Sequence, residues 1–277
     1  MTIDRDGFAA PPALVEHARR FRAEGGVPAV PRVAATVLLL RPAGAEFEVY
    51  LIRRVAAMAF GGMYAFPGGG VDRSDSQAHL DWAGPTPAEW GGRLGLAPDA
   101  AQAVVCAAAR EVFEEAGVLL AGADAASVLG DVSGDDWETA RVALEQHRGG
   151  FADLLAERSL TLRSDLLLPW SRWITPEFEP RRFDTYFFVA LLPEGQRTRD
   201  VSGEADHTLW IRPAEARARA AAGELTMLPP TLVTLGQVAA ADDLAGVVRA
   251  AATRDAATPV TPRLELPPDG DPRFLLA

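Results

Sequence analysis

Arg110-Glu111-Val112-Phe113-Glu114-Glu115-Ala116-Gly117-Val118 is the stretch on which the reading of this chain turns. Three carboxylates crowd one short patch of a segment that is otherwise alanine-rich and apolar. The surrounding pattern predicts a helix: Pro98-Asp99, with Gln102 three residues after Asp99, fits an N-cap with a returning side chain, and Gly117 suits a left-handed exit. Between these ends Val105, Ala108, Ala109, Val112 and Ala116 recur at helical spacing, while Glu111, Glu114 and Glu115 fall within an arc of roughly 100°. The stripe is expected to pack and the arc to face outward.

Carboxylates this close repel one another, which raises their pKa values and weakens the helix unless a compensating charge is present. Two readings are open. One is a solvated acidic helix face. The other is a metal site, in which a hard divalent ion such as Mg2+ or Mn2+ takes a few carboxylate oxygens together with water and substrate phosphate. Arg110 is placed to hold one carboxylate by a bidentate pair.

The wider pattern resembles the Nudix hydrolase superfamily, whose box reads G-x5-E-x7-R-E-U-x-E-E-x-G-U, with U a bulky aliphatic residue. The stretch from Arg110 to Val118 matches the second half at every defined position. Upstream, Phe66-Pro67-Gly68-Gly69 is similar to the family's phosphate-side loop, and Asp75 stands where the box has its first glutamate. Between Asp75 and Arg110 lie 34 residues in place of seven, so the box is interrupted. That interruption resembles the branch that includes the peroxisomal coenzyme A diphosphatase. Val37-Leu38-Leu39-Leu40, the run from Arg181 to Phe188 and Leu228-Pro229-Pro230-Thr231 are also similar to that branch.

The resemblance implies an α/β/α sandwich with a mixed sheet, an insertion inside the box and extra helices. It implies a metal-dependent diphosphatase acting on a nucleoside diphosphate derivative, with Glu111, Glu114 and Glu115 as catalytic metal ligands for Mg2+ or Mn2+. Coenzyme A or its esters are the favoured substrates; dinucleotides, nucleotide sugars and ADP-ribose stay open, as does a non-catalytic nucleotide-binding module. Glu204, in a Ser-Gly-Glu loop, is the candidate base, with His207 as competitor. Many coenzyme A hydrolases of the superfamily carry a second arginine five residues after the first, upstream of the Phe-Pro-Gly-Gly segment, and here that position is Met58.

Composition bounds the rest. With 277 residues, 48% hydrophobic and 23% charged, the chain can bury the core of one elaborated domain. We place an arm over 1–31, the catalytic domain over 32–258 with an insertion at 76–98, and a tail over 259–277. A net charge of −11 argues against unspecific nucleic-acid binding, which needs a basic footprint. A small nucleotide-type substrate would need local cations or bound metal, and every fixed side-chain cation is an arginine because there is no lysine. The single cysteine, Cys106, excludes an internal disulfide and reads as a small buried residue. No stretch has the length of a membrane span, so a soluble, cytoplasmic protein without a membrane partner is expected, with a homodimer left open.

Along the chain, residues 12–22 read as an amphipathic helix, and 34–41 and 46–53 as strands. Arg53 and Arg54 close the second strand and either reach a substrate phosphate or are solvated. Tyr64-Ala65-Phe66 can enter the sheet and turn at Pro67, and the glycines that follow let a phosphate approach the backbone. The insertion holds Trp82, Trp90 and a capped helix start at Thr86-Pro87-Ala88-Glu89; it is a candidate lid or substrate wall whose tryptophans stack on a base or serve as packing anchors. Val118-Leu119-Leu120 should return to the sheet, and 135–147 and 151–158 are helices, with His147 a charge partner at a helix end. Residues 166–174 and 183–192 are strands, and Arg181 and Arg182 are candidates for gripping a phosphate. Helices follow from Pro213 to Ala222 and from Thr231 to Arg249, and the tail from Pro259 reads as a strand with a mobile end.

Overall fold

A computed structural model describes residues 8–10, 12–56, 61–76, 80–199, 203, 205–267 and 271–276. The chain opens with strand β1 (Phe8–Ala9) and helix α1 (Pro12–Ala23), then β2 (Arg32–Ala43), β3 (Glu46–Arg54), β4 (Tyr64–Ala65) and β5 (Gly68–Gly70). Next come α2 (Arg73–Ser76), β6 (Trp82–Ala83), α3 (Pro87–Leu94), α4 (Pro98–Ala116), β7 (Ala121–Gly122), α5 (Asp135–Glu145) and α6 (Phe151–Glu157). The second half runs β8 (Thr161–Arg163), β9 (Leu168–Ile174), β10 (Phe183–Leu191), β11 (Ala205–Ile211), α7 (Pro213–Ala221), α8 (Pro229–Val238) and α9 (Leu244–Ala251). It closes with β12 (Pro259–Val260), β13 (Pro262–Glu265) and β14 (Arg273–Leu276).

The main sheet is mixed and ordered β11-β3-β2-β10-β9-β12. β2 runs parallel to β10, while β3 is antiparallel to both β2 and β11. The near-continuous apolar run of β2 is explained by burial on both faces. Ala35, Val37 and Leu39 point into one core with α4 and α3, and Leu38 and Leu40 point into a second core with α7, α8 and α9. The fold is an α/β/α sandwich.

β2 and β3 pair only from Leu40 and Val49 onward to the turn. Upstream they part, and two short strands fill the wedge: β5 pairs with β2, setting Gly68 opposite Thr36, and β4 pairs with β3, setting Ala65 opposite Ile52. This split in the sheet is where the glycine segment meets α4.

Several expectations are corrected here. Helix α4 starts at Pro98, with Ala97 as an N-cap that makes no side-chain bond, so Asp99 lies in the first turn instead of capping it. Proline at the first helical position is already pre-set for the helix and has no N–H to satisfy. Gly117 does take the left-handed exit, at φ 67°. Residues 118–120 do not rejoin the main sheet; the chain enters a separate small sheet, β6-β8-β7. Among its described residues, the insertion packs as core. Trp90 is fully buried in the α4 core, edge-to-face with Phe188 at 6.0 Å, and donates its indole N–H to Ser164 Oγ at 3.2 Å. The capped helix start was read correctly, since Thr86 and Glu89 form a reciprocal capping box.

Within the tail, residues 273–276 form strand. β14 pairs antiparallel with β13 and with β1 from the other end of the chain, and β12 adds to the edge of the main sheet beside β9. Among the described residues, no helix is long and apolar enough to cross a membrane.

Candidate active site

Helix α4 carries the acidic patch, but not facing solvent. Glu111, Glu114 and Glu115 are only 8%, 8% and 3% exposed, a correction to the outward arc expected from periodicity. Periodicity assigns a helix face; it does not say what covers that face. Here the cover is the glycine segment of β5. Gly68 donates its backbone N–H to Glu115 Oε2 at 2.6 Å, and a Cβ on Gly69 would collide with the Glu111 carboxylate. Glycine is required at 69 because the Glu111 carboxylate occupies the space a side chain would fill, and at 68 because the β2 backbone at Ala35 and Thr36 does.

Arg110 ties the two halves together across the insertion. Its Nε and Nη2 donate to Asp75 Oδ1 and Oδ2, both at 3.0 Å, a bidentate pair in which Asp75 is 1% exposed. Nη2 also donates to the Gly70 carbonyl at 2.9 Å, and Nη1 bridges Glu111 Oε1 at 2.8 Å and Glu114 Oε1 at 3.1 Å. Burial works against this guanidinium's charge, but the Asp75 bonds and the nearby glutamates win, and its pKa is raised. Burial pushes the Glu114 carboxyl up as well, only partly offset by Arg110. From α5, Arg141 donates to the Glu114 carbonyl at 2.8 Å and so fixes the last turn of α4, while pairing with Glu138 and Glu145.

Arg110, the three glutamates and the glycine segment line one cavity of about 1240 Å³. Its acidic end holds Asp72, Arg110, the three α4 glutamates, Glu145 and His147, with Arg54 and Thr36 beside them. Asp72 is held ionised chiefly by the Ser74 N–H, at 2.9 Å, and its Oδ2 lies 3.6 Å from His147 Nδ1.

Other sequence candidates fall elsewhere. Arg53 pairs with Asp206 at 2.6 Å and does not line the cavity; strand alternation turns its neighbour Arg54 there instead. Arg181 and Arg182 do not line it either. Arg182 is committed to the carbonyls of Thr175 and Ala29, at 3.0 and 2.8 Å, because it sits where the chain enters β10 and orders that entry. Glu204 and Met58 lie outside the described residues. Cys106 is buried, its thiol pushed well above its ordinary pKa by burial, in keeping with an inert core residue.

Three contributors escaped the sequence reading or were left undecided by it. Asp72 carried a faint local signal, because Asp-x-Ser favours the turn that Asp72 and Ser74 make. Glu145 carried none. Choosing Arg54 over Arg53 needs the register, which tertiary pairing sets.

A wall of carboxylate oxygens facing a side-chain-free glycine strand is the arrangement the interrupted box implied, and comparison with known proteins gives its family. A family profile described as the NUDT19 Nudix domain matches residues 92–238, just over half of the chain. The chain belongs to the NUDT19 Nudix domain family. Among curated relatives of this Nudix chain, a protein named acyl-coenzyme A diphosphatase NUDT19 from Homo sapiens is 29% identical over 243 residues, covering 72% of this chain and 62% of that protein. One of the same name from Xenopus laevis is 25% identical, covering 70% and 60%, and a putative nudix hydrolase 7 from Caenorhabditis elegans is 26% identical, covering 64% and 50%. The Nudix chain thus spans half to about three fifths of these relatives' lengths. A crystal structure of a NUDIX hydrolase from Alicyclobacillus acidocaldarius superposes with a TM-score of 0.64 at 28% identity, covering 83% of this chain and 99% of that one.

The carboxylates of the acidic end suit a hard divalent cation by type, being oxygen donors with room left by glycines. Among the described residues no three of them stand together as ion ligands, because Arg110 Nη1 lies between Glu111 and Glu114 and draws both onto itself.

Proposed function

We propose that the chain hydrolyses the diphosphate linkage of a nucleoside diphosphate derivative, with coenzyme A or its acyl esters as the substrate class. The observation that carries this is the meeting of the α4 glutamates with the Gly68–Gly70 strand in one cavity. Glu111, Glu114 and Glu115 would hold Mg2+ or Mn2+. A cation bound there neutralises diphosphate oxygens and lowers the pKa of a water.

The chain's own residues do the rest. Arg110, locked by Asp75, keeps the glutamate side chains on the cavity wall, and the glycines let the diphosphate come close to the backbone. Arg54 supplies positive charge at the cavity, and the acidic net charge makes that local cation matter more for an anionic substrate. Proton removal from the attacking water is assigned to Glu204, with His207 the competitor; His207 Nδ1 lies 3.4 Å from the Tyr64 hydroxyl, and Tyr64 lines the cavity. The names of the vertebrate relatives support acyl-coenzyme A as substrate, and the net charge of −11 supports a small molecule rather than nucleic acid.

The test is to incubate the protein with Mg2+ or Mn2+ and a panel of coenzyme A esters, dinucleotides, nucleotide sugars and ADP-ribose, and to weigh the products. The expected result is two fragments of a coenzyme A ester, the acyl-phosphopantetheine and the adenosine 3′,5′-bisphosphate, whose masses sum to substrate plus water. No cleavage of any diphosphate in the panel overturns the reading and leaves a nucleotide-binding module in its place.

A further inference from the structure

The cavity has a second end, which diphosphate chemistry does not use. Its floor is one face of the β2–β10 pair. The parallel register sets Arg32, Ala34 and Thr36 against Phe183, Thr185 and Phe187, and the period of two turns all six toward the cavity they line. Trp173 and Ile174 at the end of β9, and Met227 to Pro230 leading into α8, form the sides. Apart from the threonines, Arg32 and the carboxylate of Glu179, the side chains of this end are apolar.

The far wall comes from both ends of the chain at once. Phe8, Leu14, Pro262 and Phe274 line it, and the antiparallel pairing of β1 with β14 places Phe8 opposite Phe274. Their rings stack at 5.0 Å, and Phe178 backs Phe274 at 6.1 Å. Phe8, Phe178 and Phe274 are buried in a small core of their own with Val15, Ala18 and Leu264. The wall is therefore a packed aromatic structure at one end of a cavity whose other end is the acidic patch.

We propose that this apolar end receives the acyl chain of the substrate and that the sheet formed by β1, β14 and β13 sets the chain length accepted. The proposal rests on the diphosphatase reading for its catalytic arm. The cavity, at about 1240 Å³, exceeds the usual size of a small-ligand pocket, which leaves room for a tail beyond the nucleotide. Each methylene buried along the floor should raise kcat/KM about fourfold, the equivalent of about 0.8 kcal/mol, until the tail meets the Phe8–Phe274 wall, where the gain ends.

Two variants bracket the wall. Ala34→Phe fills the floor and should shorten the preferred chain; Phe274→Ala opens the far wall and should lengthen it. The catalytic arm measures kcat/KM for acyl-coenzyme A from acetyl to palmitoyl, each divided by the value for unacylated coenzyme A. The binding arm titrates cis-parinaric acid into the metal-free full-length protein and follows its fluorescence, independent of turnover. We expect a break in the chain-length series that moves in opposite directions in the two variants, and parinaric acid affinity lowered at least tenfold by Ala34→Phe. A series flat in chain length, or parinaric acid binding absent or unchanged in both variants, overturns the subsite. Loss of all diphosphatase activity with parinaric acid still bound and still sensitive to Ala34→Phe overturns only the reaction.

Discussion

Replacing Glu114 by Gln separates what this carboxylate does for the fold from what it does for chemistry. Its side chain is about 10% exposed, and its hydrogen bond is to the Arg110 Nη1 at 3.1 Å, shared with Glu111. Losing a bond to a charged partner costs about 1.5–3 kcal/mol. Against this, burial raises the Glu114 pKa, so the ionised form is disfavoured in the folded protein. The sign follows: a carboxyl with a raised folded pKa lends stability below its unfolded pKa and loses it as pH rises through the folded value, so at neutral pH glutamine removes a cost. The two effects oppose, leaving a net change within about 1 kcal/mol, or about 2–4 °C in melting temperature for a chain of this size. The chemistry should respond far more. A cation site missing one ligand forfeits about 4 kcal/mol of transition-state stabilisation, a loss of about 10³ in kcat. The assay pairs turnover with thermal melts, with and without Mg2+ or Mn2+. The native chain should melt about 5–10 °C higher at a hundredfold excess over Kd, as mass action requires, and the variant should not. Full turnover in Glu114→Gln, or an undiminished metal-dependent shift, would refute the assignment of these glutamates.

Asp75→Asn should cost about 3–5 kcal/mol, because it breaks the bidentate pair and leaves Arg110 buried with its charge less compensated; urea unfolding measures it, and a loss below about 1 kcal/mol would count against Asp75 as the clamp across the insertion. Gly69→Ala and Gly68→Ala should behave differently. The new methyl at 69 meets the far end of the Glu111 side chain, which can yield, so turnover falls while the melt barely moves; at 68 it meets the Ala35 carbonyl and Thr36 Cα, which cannot, so the melt drops. Tyr186 has a buried hydroxyl with no hydrogen-bond partner among the described residues, and burial pushes its pKa up to about 12. Tyr186→Phe should therefore be neutral or stabilising by up to about 1 kcal/mol, and should remove the late step near pH 12 from an alkaline absorbance titration. Because that pKa is raised, its share of stability is present below the ordinary tyrosine value near 10 and is lost as pH climbs through 12, a loss the phenylalanine variant should escape.

Local chemistry made much of this protein legible in advance. The α4 helix and its Gly117 exit, the capping box at Thr86 and Glu89, the strands on either side of the turn at Gly44 and the burial of Cys106 all follow from short-range preference or from one side chain's polarity. Each is decided within a few residues, so the sequence by itself carries it. The same holds for the acidic patch and the glycine segment as separate motifs.

Their meeting was decided by tertiary structure. The wedge between β2 and β3 lets Gly68 reach Glu115, and the Asp75–Arg110 pair draws shut the ends of a 34-residue excursion. Which arginine of Arg53 and Arg54 faces the cavity depends on register, and one residue of slip would exchange them. The burial of the glutamates, the packing of Trp90 as core and the joint wall made by the two chain ends are likewise non-local. A helix pattern states which residues share a face, and only the neighbours that the rest of the chain brings to that face decide whether it meets water, a glycine strand or an aromatic wall.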